Sequence, residues 1–463
     1  MDKGKFGSNF GFLMASIGSA VGLGNIWSFP YKMGIGGGFA FLLVYLILAI
    51  FVGYPLMVGE IALGRKTGKA AIEAFETCDS RFKIAGIFDT AVPFLLICFY
   101  VTFGGYVTKY MVANFGDMIH AGFGFGGVAA GDGFGGFITG GAEPMIYTYI
   151  FIALTLIIVM MGVGGGIEKF CSFAMPALFV MLVVVVIRSC TLPGAGEGLA
   201  FLFKPSFEAF KGAGWAKVLG MAGSQMFFSL SLASGCLIAY GSYLGKENNL
   251  EKNAIIVPVC DTFVAILAGM AVMPAVFAYG MEPGGGPGLL FVTLQTVFQN
   301  MTGGYIFGFV FYLLVFFAAL TSSIGMMEGA ISAMEDAGIK KGKNTKRSVY
   351  VWIITIVSIL GGTLVTYDAL GSSFSSYPFG LTCVLDVFDL GAEGILMPLG
   401  GLLMAIMFGW TRRHYIDDEV ELGGNTFKSK GFVDFCFRWV GPIFMTVLLI
   451  VQLNSFFGFT TLF

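Results

Sequence analysis

The sequence is a succession of apolar runs, each long enough to cross a lipid bilayer. A helix needs roughly 20 apolar residues to cross the hydrocarbon core. Only helices and closed barrels satisfy every backbone amide and carbonyl there, and uninterrupted runs of this length are typical of helices. We therefore predict an all-α integral membrane protein with a single domain, residues 1–463. Its eleven predicted spans lie near residues 10–33, 39–63, 86–113, 146–165, 171–190, 216–243, 254–280, 304–334, 348–367, 383–410 and 437–460.

Charged residues support this class and predict an orientation. They make up 12% of the chain, against about 25% in soluble proteins. If the N-terminus is cytoplasmic, 20 of the 26 lysines and arginines fall on the cytoplasmic side, in agreement with the positive-inside rule. An odd number of spans then places the C-terminus outside the cell. The net charge of −2 gives no indication of nucleic-acid binding.

The first run is interrupted near its centre by Gly22, Gly24 and Asn25. Glycine costs a helix about 1 kcal/mol relative to alanine, and unpaired backbone is tolerated in a membrane only against protein or a water-filled cavity. Close packing of two helices is an alternative explanation for the glycines. The polar asparagine, and a second break at residues 224–235 in the sixth run, favour a ligand site.

The two breaks lie five spans apart, which is typical of an inverted repeat. We place the first repeat at about 10–190, the second at about 216–410 and an additional helix at about 437–460. Half-helix amino termini attract anions, and exposed carbonyls bind cations. A third polar cluster, at residues 321–323 in the eighth run, offers hydroxyls suited to sodium, although such hydroxyls also bond to their own helix.

The loops and cysteines indicate no further site. The loop 114–145 is rich in glycine and phenylalanine, and we expect it to be flexible. The eight cysteines lie in or beside apolar runs and none lies in this loop, so we expect neither a disulfide nor a metal cluster. The sequence offers no nucleophile–base pair and no spaced set of metal ligands. We therefore expect no enzymatic activity.

Several motifs together resemble those of the neurotransmitter:sodium symporters, whose bacterial members have the leucine-transporter (LeuT-type) fold. The resemblance runs from Lys3 to about Phe459. Its motifs are Ala20-Val-Gly-Leu-Gly-Asn25-Ile-Trp27, Gly53-Tyr-Pro55 with Glu60 and Gly64-Arg65, Phe99-Tyr100, Gln225 to Ser231 and Leu320-Thr-Ser-Ser323. It implies a 5+5 inverted repeat with discontinuous helices 1 and 6. It also implies alternating access, in which spans 1, 2, 6 and 7 rock against a scaffold of spans 3, 4, 8 and 9.

The resemblance implies a substrate site at the middle of the membrane, between spans 1, 3, 6 and 8. Backbone amides and a tyrosine hydroxyl would hold a carboxylate, carbonyls would hold an amine, and one phenylalanine would cover the site as a lid. The residues so implied are Ala20, Gly22, Leu23, Gly24, Leu96, Tyr100, Phe228, Ser229, Ser231, Ser234, Ser322 and Met326.

Two sodium sites and two gates are implied in the same way. The first sodium site would consist of the substrate carboxylate with Ala20, Asn25, Ser229 and Asp261. The second would consist of Gly18, Val21, Ala318, Thr321 and Ser322. The implied gate residues are Lys3, Phe6, Tyr243 and Asp336 on the cytoplasmic side and Asp389 on the outer side. The spacing of Gly166 and Pro176 resembles a motif for unwinding span 5, or is an ordinary proline near a helix start.

Asp261 departs from the family pattern, in which many members have asparagine. A carboxylate inside a membrane is costly unless it is paired. Asp261 would supply the negative charge that chloride supplies in other members, while Tyr45, Gln225 and Ser229 retain the rest of that anion site. We therefore expect chloride independence. A protonated aspartate that is hydrogen-bonded in the core is the alternative.

Three further departures concern the outer gate and the pocket. Ser28 replaces the outer-gate arginine, so the usual salt bridge to Asp389 is missing and Lys32, one turn further on, is a candidate substitute. Ser234 replaces a bulky apolar residue, which favours large or aromatic ligands. Gly22 lies where monoamine transporters carry an aspartate, which favours a ligand with its own carboxylate.

The sequence therefore predicts a sodium-coupled symporter of a bacterial inner or plasma membrane. The predicted substrate is a hydrophobic or aromatic L-amino acid, imported with sodium from two sites and without chloride. An organic amine or an aromatic organic acid is an alternative substrate. A sodium-gated channel or a non-transporting receptor is a less favoured alternative. The expected partners are the small-molecule substrate and the lipid bilayer, and not a nucleic acid.

Overall fold

The computed structural model describes residues 5–212, 214–343 and 345–459, and helices dominate this part of the chain. Nine of its helices are long and apolar enough to cross a membrane. They correspond to nine of the predicted spans: 2 (Phe39–Thr67), 3 (Ser80–Met118), 4 (Ala142–Met160), 5 (Val163–Cys190), 7 (Leu250–Ala278), 8 (Gly304–Lys340), 9 (Arg347–Asp368), 10 (Val384–Thr411) and 11 (Lys430–Ser455).

Spans 1 and 6 are broken where the sequence predicts. Span 1 consists of Asn9–Ala20 and Gly24–Ile35, bent by 46°, and its second half begins with a π-helical turn. Span 6 consists of Gly214–Ser229 and Cys236–Ser242, which are 16 and 7 residues long and therefore too short to cross alone. Between its halves Ser231 and Ala233 have φ values of 53° and 50°, a left-handed conformation that is costly for residues other than glycine.

The spans pack in two groups. Span 3 packs most extensively against spans 4, 8 and 9, and these four form a continuous block. Span 2 packs on the second half of span 6, and span 7 packs on spans 1 and 2. Span 5 lies between the groups and contacts spans 1, 7 and 8. The two breaks therefore face the block formed by spans 3 and 8.

The two ends of the bundle differ in charge. We call the end that carries residues 65–83 and 336–347 the basic end, and the end that carries residues 119–141 the opposite end. At the basic end, Lys340 forms ion pairs with Glu73 and Glu76 of the short helix Ala71–Cys78, at 3.1 and 2.7 Å. The hydrogen bond from Lys340 is the largest contribution that holds the pKa of Glu76 below its usual range.

The prediction of a flexible loop at 114–145 is wrong for part of that loop. Residues Ala130–Ile138 form a helix, with Phe134 and Phe137 buried. Phe134 stacks on Phe291 with 5.2 Å between ring centroids, and Phe137 contacts Tyr106 at 5.3 Å. Phenylalanines three positions apart lie on one face of a helix, so this glycine-rich segment packs against the bundle.

Candidate binding sites at the helix breaks

A small cavity of about 20 Å³ lies between the two helix breaks. Ten of the twelve residues predicted for the substrate site line it: Ala20, Gly22, Gly24, Leu96, Tyr100, Phe228, Ser231, Ser234, Ser322 and Met326. Ser19 and Met397 also line it, and the sequence had not indicated either of them. None of these lining residues is charged. The cavity therefore combines hydroxyls and backbone groups with apolar side chains.

The two remaining predicted residues lie just behind this lining. The Leu23 amide donates to the Tyr100 hydroxyl at 3.2 Å. The Ser229 hydroxyl donates to Asp261 at 2.9 Å. The structure thus brings all twelve predicted residues together. Ten line the cavity, and Leu23 and Ser229 lie behind this lining.

The backbone at Gly22 lies so close to span 8 that only glycine fits. A Cβ atom there would overlap the Ser322 hydroxyl and would lie 2.8 Å from the Tyr100 hydroxyl. At Gly24 a Cβ atom would lie 3.1 Å from the Phe228 ring. These glycines let the backbone of span 1 reach the cavity, where its amides can act as donors.

Asp261 is fully buried and accepts hydrogen bonds from three side chains. The Asn25 amide donates to Oδ1 at 2.8 Å, and the hydroxyls of Ser229 and Tyr45 donate to Oδ2 at 2.9 and 3.1 Å. The Asn25 Oδ1 accepts from the Gly22 amide at 3.0 Å. This cluster joins span 7 to both broken spans, and its oxygen-rich chemistry fits a hard cation.

Gln225, which the resemblance groups with Tyr45 and Ser229, bridges to span 1. Its Oε1 accepts from the Ser28 hydroxyl at 2.7 Å, and its Nε2 donates to the Gly24 carbonyl at 2.8 Å. Gln225 therefore links the two broken spans.

The second predicted cation site is assembled from span 1 and span 8. The Ser322 hydroxyl lies 3.2 Å from the Gly18 carbonyl and 3.4 Å from the Val21 carbonyl. The Thr321 hydroxyl lies 3.1 Å from the Ala318 carbonyl of its own helix. All five predicted groups supply oxygen atoms, the ligands that hard cations prefer. They come from two helices, span 1 and span 8.

A larger cavity of about 390 Å³ lies between the first cavity and the opposite end of the bundle. Phe228 lines both cavities, so its ring separates them. The larger cavity, which we call the vestibule, contains aromatic and acidic side chains, among them Trp27, Tyr31, Asp386, Asp389 and Glu393. The first cavity is therefore closed from this end by one aromatic side chain.

Lys32, the candidate substitute for the missing arginine, forms an ion pair at the vestibule with Glu393. Lys32 Nζ lies 3.3 Å from Glu393 Oε2 and donates to the Ser224 hydroxyl at 3.1 Å. Asp389, the predicted gate residue, lines the vestibule together with Lys32 and Glu393. Since Lys32 follows Ser28 by four residues and Glu393 follows Asp389 by four, the ion pair is displaced by one turn on both helices. That matched spacing was the available sequence signal.

The basic end is closed by an aromatic and polar cluster. Phe6 contacts Tyr243 with 6.3 Å between ring centroids, and the Tyr243 hydroxyl donates to Glu328 at 2.8 Å. Glu328 is also paired with Arg347, which the sequence had not indicated. Asp336 accepts from a backbone amide, that of residue 70, at 2.6 Å. The fifth predicted gate residue, Lys3, lies outside the described residues.

The start of span 5 is irregular. Residues Val163–Ile167, which include Gly166, form a π-helical turn, and Pro176 lies inside the helix that follows. Glu168 accepts from the Gly7 amide at 2.7 Å and from the Ser8 hydroxyl at 2.9 Å. The amino-terminal segment is therefore fastened to this turn.

Comparison with known proteins extends these observations. The profile of the sodium:neurotransmitter symporter family matches residues 3–120 and 140–461. An uncharacterized sodium-dependent transporter of Bacillus subtilis, YhdH, is 34% identical, with 97% of each chain covered. The mouse sodium-dependent neutral amino acid transporter B(0)AT3 is 25% identical, over 84% of this chain and 76% of the relative.

A solved structure agrees with the fold. The crystal structure of MhsT in complex with L-phenylalanine superposes with a TM-score of 0.87 at 34% identity, covering 97% of this chain and 100% of that one. The predicted LeuT-type helical fold is confirmed, and the matched proteins are sodium-dependent transporters and not enzymes. The broken spans, the convergent oxygen clusters and these matches lead to one conclusion: the chain belongs to the sodium:neurotransmitter symporter family.

Proposed function

We propose that this sodium-dependent transporter imports a hydrophobic or aromatic L-amino acid across a bacterial inner or plasma membrane. The basic end would face the cytoplasm, in accordance with the positive-inside rule. The observation that carries the proposal is the uncharged cavity that joins the two helix breaks. It offers backbone amides, hydroxyls and apolar side chains, which together match a zwitterion with an apolar side chain.

The absence of charge in the cavity lining favours an amino acid over an amine. An amine without a carboxylate needs a protein carboxylate inside the cavity, and none of the described lining residues supplies one. A substrate carboxylate would instead accept from the amides near Gly22 and from the Tyr100 hydroxyl. Charge-assisted hydrogen bonds of this kind are about twice as strong as neutral ones.

The apolar lining favours a large side chain. Leu96, Met326 and Met397 line the cavity together with the small Ser234, and methionines adapt readily to ligand shape. The present volume of about 20 Å³ holds roughly one water molecule, so the Phe228 ring and these methionines must move to admit an amino acid. The bound L-phenylalanine of MhsT is consistent with an aromatic substrate.

Sodium binding at the first cluster would be coupled to substrate binding through Asn25. Its Oδ1 accepts a hydrogen bond from the Gly22 amide, and its Nδ2 donates one to Asp261. Turning this amide over would direct its oxygen toward a sodium ion beside Asp261 and would free the Gly22 amide for the substrate carboxylate. Because the coupling is thermodynamic, each ligand then raises the affinity of the other by the same factor.

The geometry of Asp261 supports chloride independence. Its Oδ2 already accepts from the hydroxyls of Tyr45 and Ser229, two of the groups that would otherwise be available to an anion. The carboxylate therefore supplies the negative charge within the protein. The cluster of Gly18, Val21 and Ser322 would hold the second sodium ion between the two helix groups.

The proposal is tested first by ligand-dependent stability. The purified protein is heated with amino acids, amines and aromatic acids in sodium chloride, sodium gluconate and choline chloride. A ligand that binds the native state raises the apparent stability by mass action. We expect aromatic or large apolar L-amino acids to stabilise the protein in both sodium salts and not in choline chloride. Stabilisation by amines alone would contradict the proposed substrate class, and a requirement for chloride would contradict chloride independence.

Transport itself is tested in proteoliposomes. Uptake of a radioactive amino acid identified in the first assay should require an inward sodium gradient and should persist when gluconate replaces chloride. Binding without uptake would indicate a receptor. Sodium current without substrate coupling would indicate a channel.

A further inference from the structure

Two carboxyl groups beside the break of span 6 have no role in the sites described above. Glu60 of span 2 and Asp89 of span 3 are both 0% exposed. Glu60 Oε1 accepts from the Ala233 amide at 2.7 Å. Glu60 Oε2 and both carboxyl oxygens of Asp89 have no hydrogen-bond partner. Within the described part of the chain neither carboxyl forms an ion pair.

The two carboxyl groups flank the same residue, Ala233. A Cβ atom on Gly400 of span 10 would overlap Asp89 Oδ1 and would lie 3.4 Å from the Ala233 Cβ atom, so Asp89 reaches Ala233 from one side. Glu60 reaches it through the amide hydrogen bond. Both carboxyl groups are therefore placed beside Ala233, on the same side of the break.

Two neighbouring carboxylates without a counter-charge cannot both ionise in a buried site, because desolvation and mutual repulsion each disfavour the second charge. A proton on one of them removes the mutual repulsion and one of the two buried charges. With Oε1 of Glu60 engaged by Ala233, its Oε2 and the two oxygens of Asp89 are the atoms free to take that proton. Carboxyl pairs that hold a single proton are well known in other proteins.

We propose that Glu60 and Asp89 form a proton-binding site that holds the two helix groups together, an inference that rests on the proposed alternating-access function. Glu60 belongs to the group that carries the broken spans, whereas Asp89 belongs to the block of spans 3, 4, 8 and 9. The pair therefore crosses the interface that must open during transport. The proton is taken from water when the interface closes and returns to water when the carboxyl groups separate.

The other ionisable groups around the pair are already engaged. The buried Cys236 of span 6 donates its thiol hydrogen to a backbone carbonyl of span 8 at 3.1 Å. Glu328 is paired with Arg347. The short helix Ala71–Cys78 also packs near the break, and its Glu73 is paired with Lys340. The facing residue of span 10 is a glycine.

The sign of the pH effect follows from which state holds the extra proton. The closed state, shown here, also brings together the second sodium site, whose groups come from span 1 and span 8. Sodium binding and proton uptake should therefore accompany one another. The apparent affinity of the second sodium site, which contains no carboxylate, should be constant at low pH and should fall as pH rises past the titration of the pair, by at most about tenfold per pH unit for one proton.

The test uses sodium ions and a pH-indicator dye, with no organic substrate. Radioactive sodium binding is measured at roughly pH 5–9, the range within which shifted carboxyl groups titrate. Asp89→Asn and Glu60→Gln each mimic a permanently protonated member of the pair. Asp132→Asn, on the exposed face of Ala130–Ile138, is the matched control for loss of an aspartate.

We expect the wild type and Asp132→Asn to lose sodium affinity as pH rises and to take up protons, up to one per protein, when sodium is added. Both amide variants should bind sodium with the same stoichiometry, without the loss of affinity at high pH and without proton uptake. Absence of proton uptake by the wild type at every pH would overturn the proposal even if the variants do not fold. Loss of one sodium ion per protein in Asp89→Asn would also overturn it, because the pair would then bind sodium. Failure of the wild type to bind sodium at any pH would instead contradict the proposed sodium sites.

Discussion

Replacing Asp261 by asparagine is the sharpest test of the first sodium site. The substitution keeps the shape of the side chain and removes its charge. The amide oxygen can still accept from Ser229 and Tyr45, which now donate to Oδ2 at 2.9 and 3.1 Å. The fold should therefore be retained, and the effect should fall on ligands that need the negative charge.

The expected loss can be worked out from the charge that is removed. A unit charge about 4 Å away is worth about 4 kcal/mol at an effective dielectric constant of about 20, and about 1.4 kcal/mol corresponds to tenfold in affinity. Complete loss of the charge would therefore weaken sodium binding by almost a thousandfold. The amide oxygen retains an ion–dipole attraction, so we expect a loss of about 100-fold in chloride-free medium, by the same conversion.

Chloride should partly rescue this variant. A neutral amide oxygen accepts from the hydroxyls of Tyr45 and Ser229 more weakly than the carboxylate does, so an anion can compete for these two donors, as in a site that binds chloride. Sodium titrations of the wild type, Asp261→Asn and the control Asp132→Asn are compared in sodium chloride and in sodium gluconate. We expect the wild type and the control to be indifferent to the anion. Equal sodium affinity of Asp261→Asn and the wild type in both salts would refute the reasoning.

Three further predictions concern the cavity and the two ends. Gly22→Ala should abolish sodium-dependent amino-acid binding, because the added Cβ atom overlaps a hydroxyl of span 8. The control Gly131→Ala, whose Cβ would have no neighbouring atom nearer than 3.9 Å, should bind normally. Equal amino-acid binding by the two variants would contradict the role of Gly22. Phe228→Ala should accelerate substrate dissociation by about tenfold or more, since burying a phenylalanine is worth about 1.5–3 kcal/mol; an unchanged dissociation rate would exclude a lid. Glu168→Gln should speed hydrogen exchange at residues 7–8, and unaltered exchange would mean that the contact does not fasten the amino terminus.

Much of the fold could be predicted because the relevant forces act locally along the chain. Eleven apolar runs of span length specify helices, since a membrane offers no other partner for the backbone. Glycines and polar residues within two of those runs locate the breaks. The ten predicted residues that line the cavity came from the family resemblance, and they lie at or directly opposite these breaks.

Packing between distant segments accounts for what was missed. Ser19 and Met397 line the cavity, yet nothing in their local sequence distinguishes them from ordinary residues of an apolar helix. The same holds for Asp89, which lies 29 residues after Glu60 in the sequence and reaches the same break only through the packing of span 3. The glycine-rich helix Ala130–Ile138 was missed because its stability comes from aromatic contacts with the bundle.

The sequence by itself determined that the chain is helical, that it spans a membrane and where its helices break. Each of these properties follows from the cost of burying unpaired backbone in lipid, which depends on a few neighbouring residues. Only the tertiary structure decided which polar groups meet: Lys32 with Glu393, Gln225 with Ser28, and Glu60 near Asp89. These pairings depend on the rotation and register of packed helices, and a displacement of one turn is enough to exchange one partner for another.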